Sequence, residues 1–375
     1  MAQAIINNSM LTWARNRAFL SVQYIAEKFD KPVDIVIGWE DGKESITFSQ
    51  AQKYADLTHI PFGYLYLNEP PYEQLPIPDR RTIGSIGKPV SLELKDTLND
   101  VLIKQDWYRE YAKANDFNEV DVVGALSINN SVTDIVNLIK NRINIPIPPA
   151  RGKWTDLLSL LVKKIESLGI LVMRNGVVKN NTHRPLSVED FRGFCIADNY
   201  APVIFINTND AKSAQLFTLI HELAHLIIGQ SAISDLSNYS HAKEEVFCNA
   251  VAAEYLTPKE LFLKEWVIHI DLGENMDHMV STFRVSRWVI ARRALDLKLI
   301  AQEAHDAFIS SINEKNPSTG RGDYARSQKV RISERLAVAV ATQALEGKIL
   351  LREAQQLTGI RPNKLYAFAQ KELGL

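Results

Sequence analysis

Two histidines and a glutamate near the middle of the chain have the types and the spacing of a metal-dependent hydrolase site. His221, Glu222 and His225 form an H-E-x-x-H pattern inside the apolar stretch 217–229. This stretch predicts a buried helix that ends at Gly229, and residues four apart lie on the same helical face. His221 and His225 can therefore bind one metal ion, at about 2.0–2.1 Å from each ring nitrogen for zinc. Glu222 would lie beside the ion, where it can take a proton from a water molecule as a general base.

The third metal ligand must come from another part of the chain, because a catalytic zinc has three protein ligands and one open position. Residues 241–256 predict a second helix, which Thr257 and Pro258 interrupt. Glu245 and Asn249 are one turn apart on one face of this helix. Glu245 can therefore complete a His-His-Glu site, and Asn249 can support one of the ligating histidines.

Glu244, Cys248 and His241 are alternatives for the third ligand. Glu244 points about 100° away from the Asn249 face, which favours a solvated side chain. Cys248 also fits a small buried hydrophobic residue. His241 precedes the helix and, like Tyr239, could stabilise the oxyanion of the reaction or lie in a surface loop.

The two predicted helices together resemble the ImmA/IrrE family of metallo-endopeptidases. The resemblance lies in H-E-L-A-H at 221–225 and E-V-F-C-N-A-V-A-A-E-Y-L-T-P at 245–258, and it extends along the chain on both sides. It implies a zincin-like metalloprotease domain in which the two histidines and Glu245 hold Zn²⁺ and Glu222 is the catalytic base. The family also implies a narrow substrate. The expected function is a zinc-dependent endopeptidase that cleaves a specific protein, a helix-turn-helix transcriptional repressor in a stress or mobile-element regulatory circuit.

The first 68 residues are similar to the phage-repressor type of helix-turn-helix domain, which long members of this family carry. Ser21 predicts the N-cap of one of its helices. The segment that would enter the major groove, 31–37, is apolar and includes Pro32 and Asp34. Because other acidic residues surround it, contact with DNA phosphates would be repulsive. DNA is therefore a possible but not a favoured partner, and this domain could be degenerate.

The sequence as a whole predicts an α+β protein that is mostly α-helical. The expected regions are a helix-turn-helix-like domain at 1–68, a proline-rich linker and helical segment at 69–150, a zincin-like metalloprotease core at 151–272 and a C-terminal helical region at 273–375. Inside the second region, 91–114 and 120–143 predict helices. Inside the core, 170–173, 194–197 and 203–206 predict strands of a small antiparallel sheet. An edge strand of this sheet could pair with an extended substrate.

Composition limits the remaining possibilities. The chain has 375 residues, of which 46% are hydrophobic, with a formal net charge of −1 and two cysteines. Its length suits two or three domains with substantial cores. The small net charge gives no general attraction to nucleic acid or to an acidic membrane, and no apolar run has the length of a membrane span. With so few cysteines, these features predict a cytoplasmic protein without a membrane partner.

Two other classes of function stay open on the sequence alone. The chain could be a DNA-binding transcriptional regulator, or an antitoxin-type partner whose metal site is sensory or structural. The presence of Glu222 favours catalysis over both classes, and the acidity of the first domain disfavours DNA binding.

Overall fold

A computed structural model describes residues 3–71, 77, 90–148, 154–212, 214–234, 243–312 and 324–375. The chain divides into two compact units, Met1–Pro76 and Ile77–Leu375. Residues 72–76 and 78–89 of the predicted proline-rich linker lie outside the described residues. The expected domain boundaries after residues 150 and 272 fall inside the second unit and stay predictions.

The first unit consists of short helices around one apolar core. They are α1 (Asn8–Arg17), α2 (Val22–Phe29), α3 (Val33–Glu40), α4 (Phe48–Leu57) and a 3₁₀ turn at Phe62–Tyr66. The Ser21 side chain accepts a hydrogen bond from the backbone N–H of Tyr24, so its prediction as an N-cap is confirmed. The outward face of α3 carries the exposed residues Asp34 and Ile37. The helix-turn-helix assignment and its relation to DNA stay predictions.

A polar cluster lies between the helices of the first unit. Arg15 donates two hydrogen bonds to Glu40, at 2.7 and 2.8 Å, and the Tyr54 hydroxyl donates a third at 2.7 Å. Burial alone would raise the pKa of Glu40, but the hydrogen bonds from Arg15 and Tyr54 outweigh it and hold that pKa below its usual value. Glu40 is therefore ionised and ties α3 to α1 and α4.

The second unit contains most of the helices. In chain order they are α5 (Leu92–Ala114), α6 (Val132–Ile143), α7 (Trp154–Ser167), α8 (Ala214–Ile227), α9 (Lys243–Leu256), α10 (Lys259–Glu265), α11 (Leu272–Phe283), α12 (Arg287–Asp296), α13 (Gln302–Ile312), α14 (Tyr324–Arg331), α15 (Glu334–Leu345), α16 (Leu351–Thr358) and α17 (Pro362–Phe368), followed by a π-helical turn at Ala369–Leu373. The predicted helix at 120–143 is too long. Residues 121–130 form turns, because Ser131 and Asp134 make a capping box that starts α6 at Val132.

The described part of the second unit also contains six short strands. They are β1 (Leu171–Asn175), β2 (Val177–Val178), β3 (Asn181–Pro185), β4 (Gly193–Ile196), β5 (Val203–Asn207) and β6 (Ala232–Ser234). The main sheet has the order β1-β5-β4-β6, and β2 pairs with β3 in a separate hairpin. The sheet is mixed and not purely antiparallel, because β1 and β5 run parallel while β4 pairs antiparallel with both β5 and β6. The hairpin and β6 were not predicted.

The α+β fold class with a helical majority is confirmed. Helix α8 packs on one face of the sheet and is buried from Gln215 to Ile227, which also confirms its predicted burial. Gly229 follows it with a positive φ of 72°, a conformation that suits glycine at a helix end. Among the described helices, none combines the length and the apolar character needed to cross a membrane.

Candidate metal and peptidase site

Helices α8 and α9 bring three potential metal ligands to one point. The Nε2 atoms of His221 and His225 are 3.1 Å apart. Glu245 reaches between them, with Oε2 at 3.2 Å from Nε2 of His221 and Oε1 at 3.2 Å from Nε2 of His225. All three residues are buried, and their ligand atoms lie within 4.8 Å of one another. The group could hold a metal ion.

The charges of these three side chains depend on one another. Burial alone would lower the pKa of His221, but its contact with Glu245 and the nearby charge of Glu222 raise it instead. Burial alone would raise the pKa of Glu245, and the two histidines hold it well below its usual range. An anionic carboxylate and two imidazole nitrogens facing one buried point are a donor set that fits a divalent transition-metal ion.

Glu222 lies next to the three ligands without being one of them. It is fully buried, and among the described residues neither of its carboxylate oxygens makes a hydrogen bond of ordinary geometry. Burial is the main cause that raises the pKa of Glu222 to about 8, and the charge of Glu245 adds to it. A cation held by the three ligands would act in the opposite direction, since a nearby positive charge favours the ionised carboxylate. A buried carboxylate without a firm partner is expensive in free energy, so its presence indicates a ligand or a chemical role.

Asn249 lies one turn after Glu245 on α9, as predicted from the sequence. It is half-buried, and its side chain is close enough to His221 to contribute to the raised pKa of that histidine. This placement is compatible with the predicted role of Asn249 in supporting a ligand. That role itself stays a prediction.

The alternative third ligands do not join the group. Cys248 is buried, and Glu244 is half-buried on the same helix, but within the described ranges the ligand group contains only the two histidines and Glu245. His241 and Tyr239 lie outside the described residues.

Three residues of the site were not predicted from the sequence, and all three lie on the sheet. Ser234 of β6 places its Oγ 3.2 Å from Nε2 of His221. Ser234 and the Cys195 thiol of β4 both act on the pKa of Glu222. Gly193 faces Ser234 in the β4–β6 pair, and a Cβ atom at Gly193 would come within 3.1 Å of the Glu222 carboxylate. No local motif marks these positions, because the strand register alone brings them to α8.

Comparison with known families supports a peptidase-type domain in this part of the chain. Residues 165–295 match the Peptidase_M78 family model, described as the IrrE N-terminal-like domain. The match includes α8 and α9 and therefore all the residues of the metal group, and it supports a relationship to the ImmA/IrrE family. Residues 332–371 match a domain of unknown function, DUF8813. No curated protein matches the chain.

Proposed function

We propose that this chain is a zinc-dependent endopeptidase. The observation that carries the proposal is the buried group of two imidazole nitrogens and a carboxylate with a second carboxylate, Glu222, beside it. The match of residues 165–295 to a peptidase family supports the same reaction class. Zinc is the proposed metal because a site of two histidines and one glutamate is a common catalytic zinc site.

The proposed chemistry uses the bound metal and Glu222 together. When bound, zinc polarises a carbonyl group and makes a water molecule more acidic. Glu222 takes the proton of the attacking water at one carboxylate oxygen and delivers it to the nitrogen of the leaving amine. The tight packing around Glu222 holds its carboxylate beside the ligands, and Asn249 positions the ring of His221.

The substrate enters beside β6 in this proposal. Ser234 reaches His221 from β6, and β6 is the edge strand on that side of the sheet. A peptide that adds to this edge in extended form would pass close to Glu222. Because Glu222 and both histidines are fully buried, the packing around them must open for a peptide bond to reach them.

We further propose that the substrate is a helix-turn-helix repressor in a stress or mobile-element regulatory circuit. The support for this substrate class is the resemblance of the two site helices to the ImmA/IrrE family. The two cysteines, both free thiols, and the composition of the chain favour the cytoplasm as the place of action.

Profiling of new protein termini tests the proposal. The native host is compared when it produces the wild-type chain and when it produces Glu222→Gln, which keeps the shape of the side chain and removes the base. We expect a small set of cleavage sites in the wild-type sample alone, including one in a DNA-binding repressor. The same termini in both samples would contradict catalysis by Glu222, whereas sites in unrelated proteins would contradict the repressor substrate.

A further inference from the structure

A cavity of about 250 Å³ lies in the second unit, away from the metal group. Its walls come from α5, β1, the β2–β3 turn, β5, α14 and α16. The cavity therefore lies between the sheet of the peptidase-type domain and the C-terminal helices. Its volume is large enough for a small molecule and too small for a folded segment of a partner.

The cavity lies on the face of the sheet opposite α8. Successive side chains of a strand point to opposite faces. Met173 and Phe205 line the cavity, whereas their neighbours Val172, Ile204 and Ile206 belong to the core that includes α8. A molecule in the cavity would therefore be separated from Glu222 by the sheet, so the cavity is not part of the proposed peptide-binding site.

Basic side chains dominate the charge of the cavity wall. Lys104, Lys179 and Arg331 line it together with one acidic residue, Asp100, which gives the wall a net charge of +2. Lys104 is buried and forms an ion pair with Asp100. Arg331 and Lys179 pair with no carboxylate in the part of the chain that the structure describes. These two cations are available to an anion that enters the cavity.

A buried amide supports the wall beside Arg331. Gln328 is 1% exposed and lines the cavity. Its Nε2 donates to Oδ1 of Asn180 at 3.1 Å and to the carbonyl of Thr358 at 2.6 Å, which fixes the orientation of the amide. Its Oε1 is enclosed by protein atoms, so this side chain shapes the wall and does not bind a ligand through its oxygen.

Hydrogen bonds to Asn180 and the close approach of Gly359 fix this part of the cavity wall. Arg331 donates to the same Oδ1 of Asn180 at 3.2 Å. Gly359, which ends α16 with a φ of 71°, leaves no room for a Cβ atom against the Asn180 and Gln328 amides. Asn180 thus ties Arg331, Gln328 and the end of α16 into one wall, so the guanidinium of Arg331 has a fixed position before any ligand binds.

We propose that this cavity binds a small anion of the carboxylate or phosphate class. The anionic group contacts Arg331 and Lys179. The inference concerns a second site and stands independently of the proposed peptidase activity.

Calorimetric titration of the full chain tests this site with two probes at up to about 10 mM. Succinate carries carboxylates, and glycerol 3-phosphate carries a phosphate. We expect saturable binding of at least one of them at one site per chain, and the stronger of the two identifies the class of anion.

Variants separate the cavity from general surface charge. Arg331→Gln and Lys179→Gln should each weaken binding by about tenfold or more, and Arg331→Lys should lose less. Lys179 is exposed, so its substitution also serves if Arg331→Gln proves unstable. Arg352→Gln is the matched control, because Arg352 is exposed on α16 and does not line the cavity. Absence of saturable binding by both succinate and glycerol 3-phosphate, or equal losses in the Arg331, Lys179 and Arg352 variants, would overturn the proposal.

Discussion

Addition of a single methyl group at Gly193 should have a large effect on the packing and activity of the site. This residue of β4 lies directly against α8. A Cβ atom at Gly193 would lie 2.5 Å from Cγ2 of Thr218, 3.0 Å from the carbonyl oxygen of Phe205 and 3.1 Å from Oε1 of Glu222. We therefore expect Gly193→Ala to destabilise the second unit and to displace the Glu222 carboxylate.

The sizes of these two effects follow from the contacts. Thr218 is fully buried on a helix, so its methyl group cannot move without a shift of α8. Overpacking of this kind costs about 1–3 kcal/mol in the free energy of unfolding. Displacement of a catalytic group by about 1 Å can reduce the rate by roughly 100-fold. Gly63→Ala is the control, because a Cβ atom there would meet nothing within 4 Å.

A double-mutant cycle with Thr218→Ser separates stability from activity. This second change removes Cγ2 and keeps the hydroxyl that donates to the carbonyl of Ala214. In urea titrations, Thr218→Ser alone should cost about 1 kcal/mol. The double variant should be more stable than the sum of the single variants predicts, by about 1 kcal/mol. Its peptidase activity should stay low, because the contact with Glu222 is still present. Wild-type stability of Gly193→Ala together with additive changes would refute the close packing of β4 on α8.

Three further predictions concern the metal, the first unit and DNA. Purified chain should carry close to one metal ion, as measured by elemental analysis. The Glu245→Ala variant should lose the metal, and the Glu244→Ala variant should keep it. The reverse pattern would show that the third ligand is wrongly assigned. The free energy of unfolding of the first unit should fall in acid. The contribution of Glu40 is fully present above the pKa of an unfolded glutamate, about 4.3. It is lost as the pH falls through the lower pKa that Glu40 has in the folded state. Glu40→Gln should be less stable at neutral pH and should lack most of this dependence in urea titrations; an unchanged acid dependence would contradict the role of the Arg15–Glu40 pair. The full chain should bind duplex DNA only weakly and without sequence preference at about 0.15 M salt, and a tight, salt-sensitive complex with one operator sequence in a gel-shift assay would contradict this expectation.

The helices of the site could be predicted because their information is local. The spacing of His221 and His225 fixes their common face within one turn of helix, and the same reasoning selects Glu245 over Glu244 on α9. Apolar residues on all sides of α8 gave its burial correctly. The structure adds the contact between the two helices, which brings the three side chains to within hydrogen-bonding distance of one another.

The sheet side of the site could not be predicted, because it depends on pairing between distant segments. Gly193, Cys195 and Ser234 reach Glu222 only through the register of β4 with β6. A strand of three residues such as β6 has too little periodicity to be recognised. The parallel pairing of β1 with β5 was missed for the same reason, since isolated apolar strands do not reveal the direction of their partners. The start of α6 was misplaced because apolar residues before Ser131 extended the pattern beyond the true cap.

Glu222 is proposed to act as the base of a metal-dependent peptidase. The most direct measurement compares purified wild-type chain and Glu222→Gln for metal content and for the initial rate of cleavage of the protein found by terminal profiling. We predict equal metal content and a rate at least about 100-fold lower in the variant, as expected for loss of a general base. An unchanged rate with the metal still bound would contradict this role of Glu222.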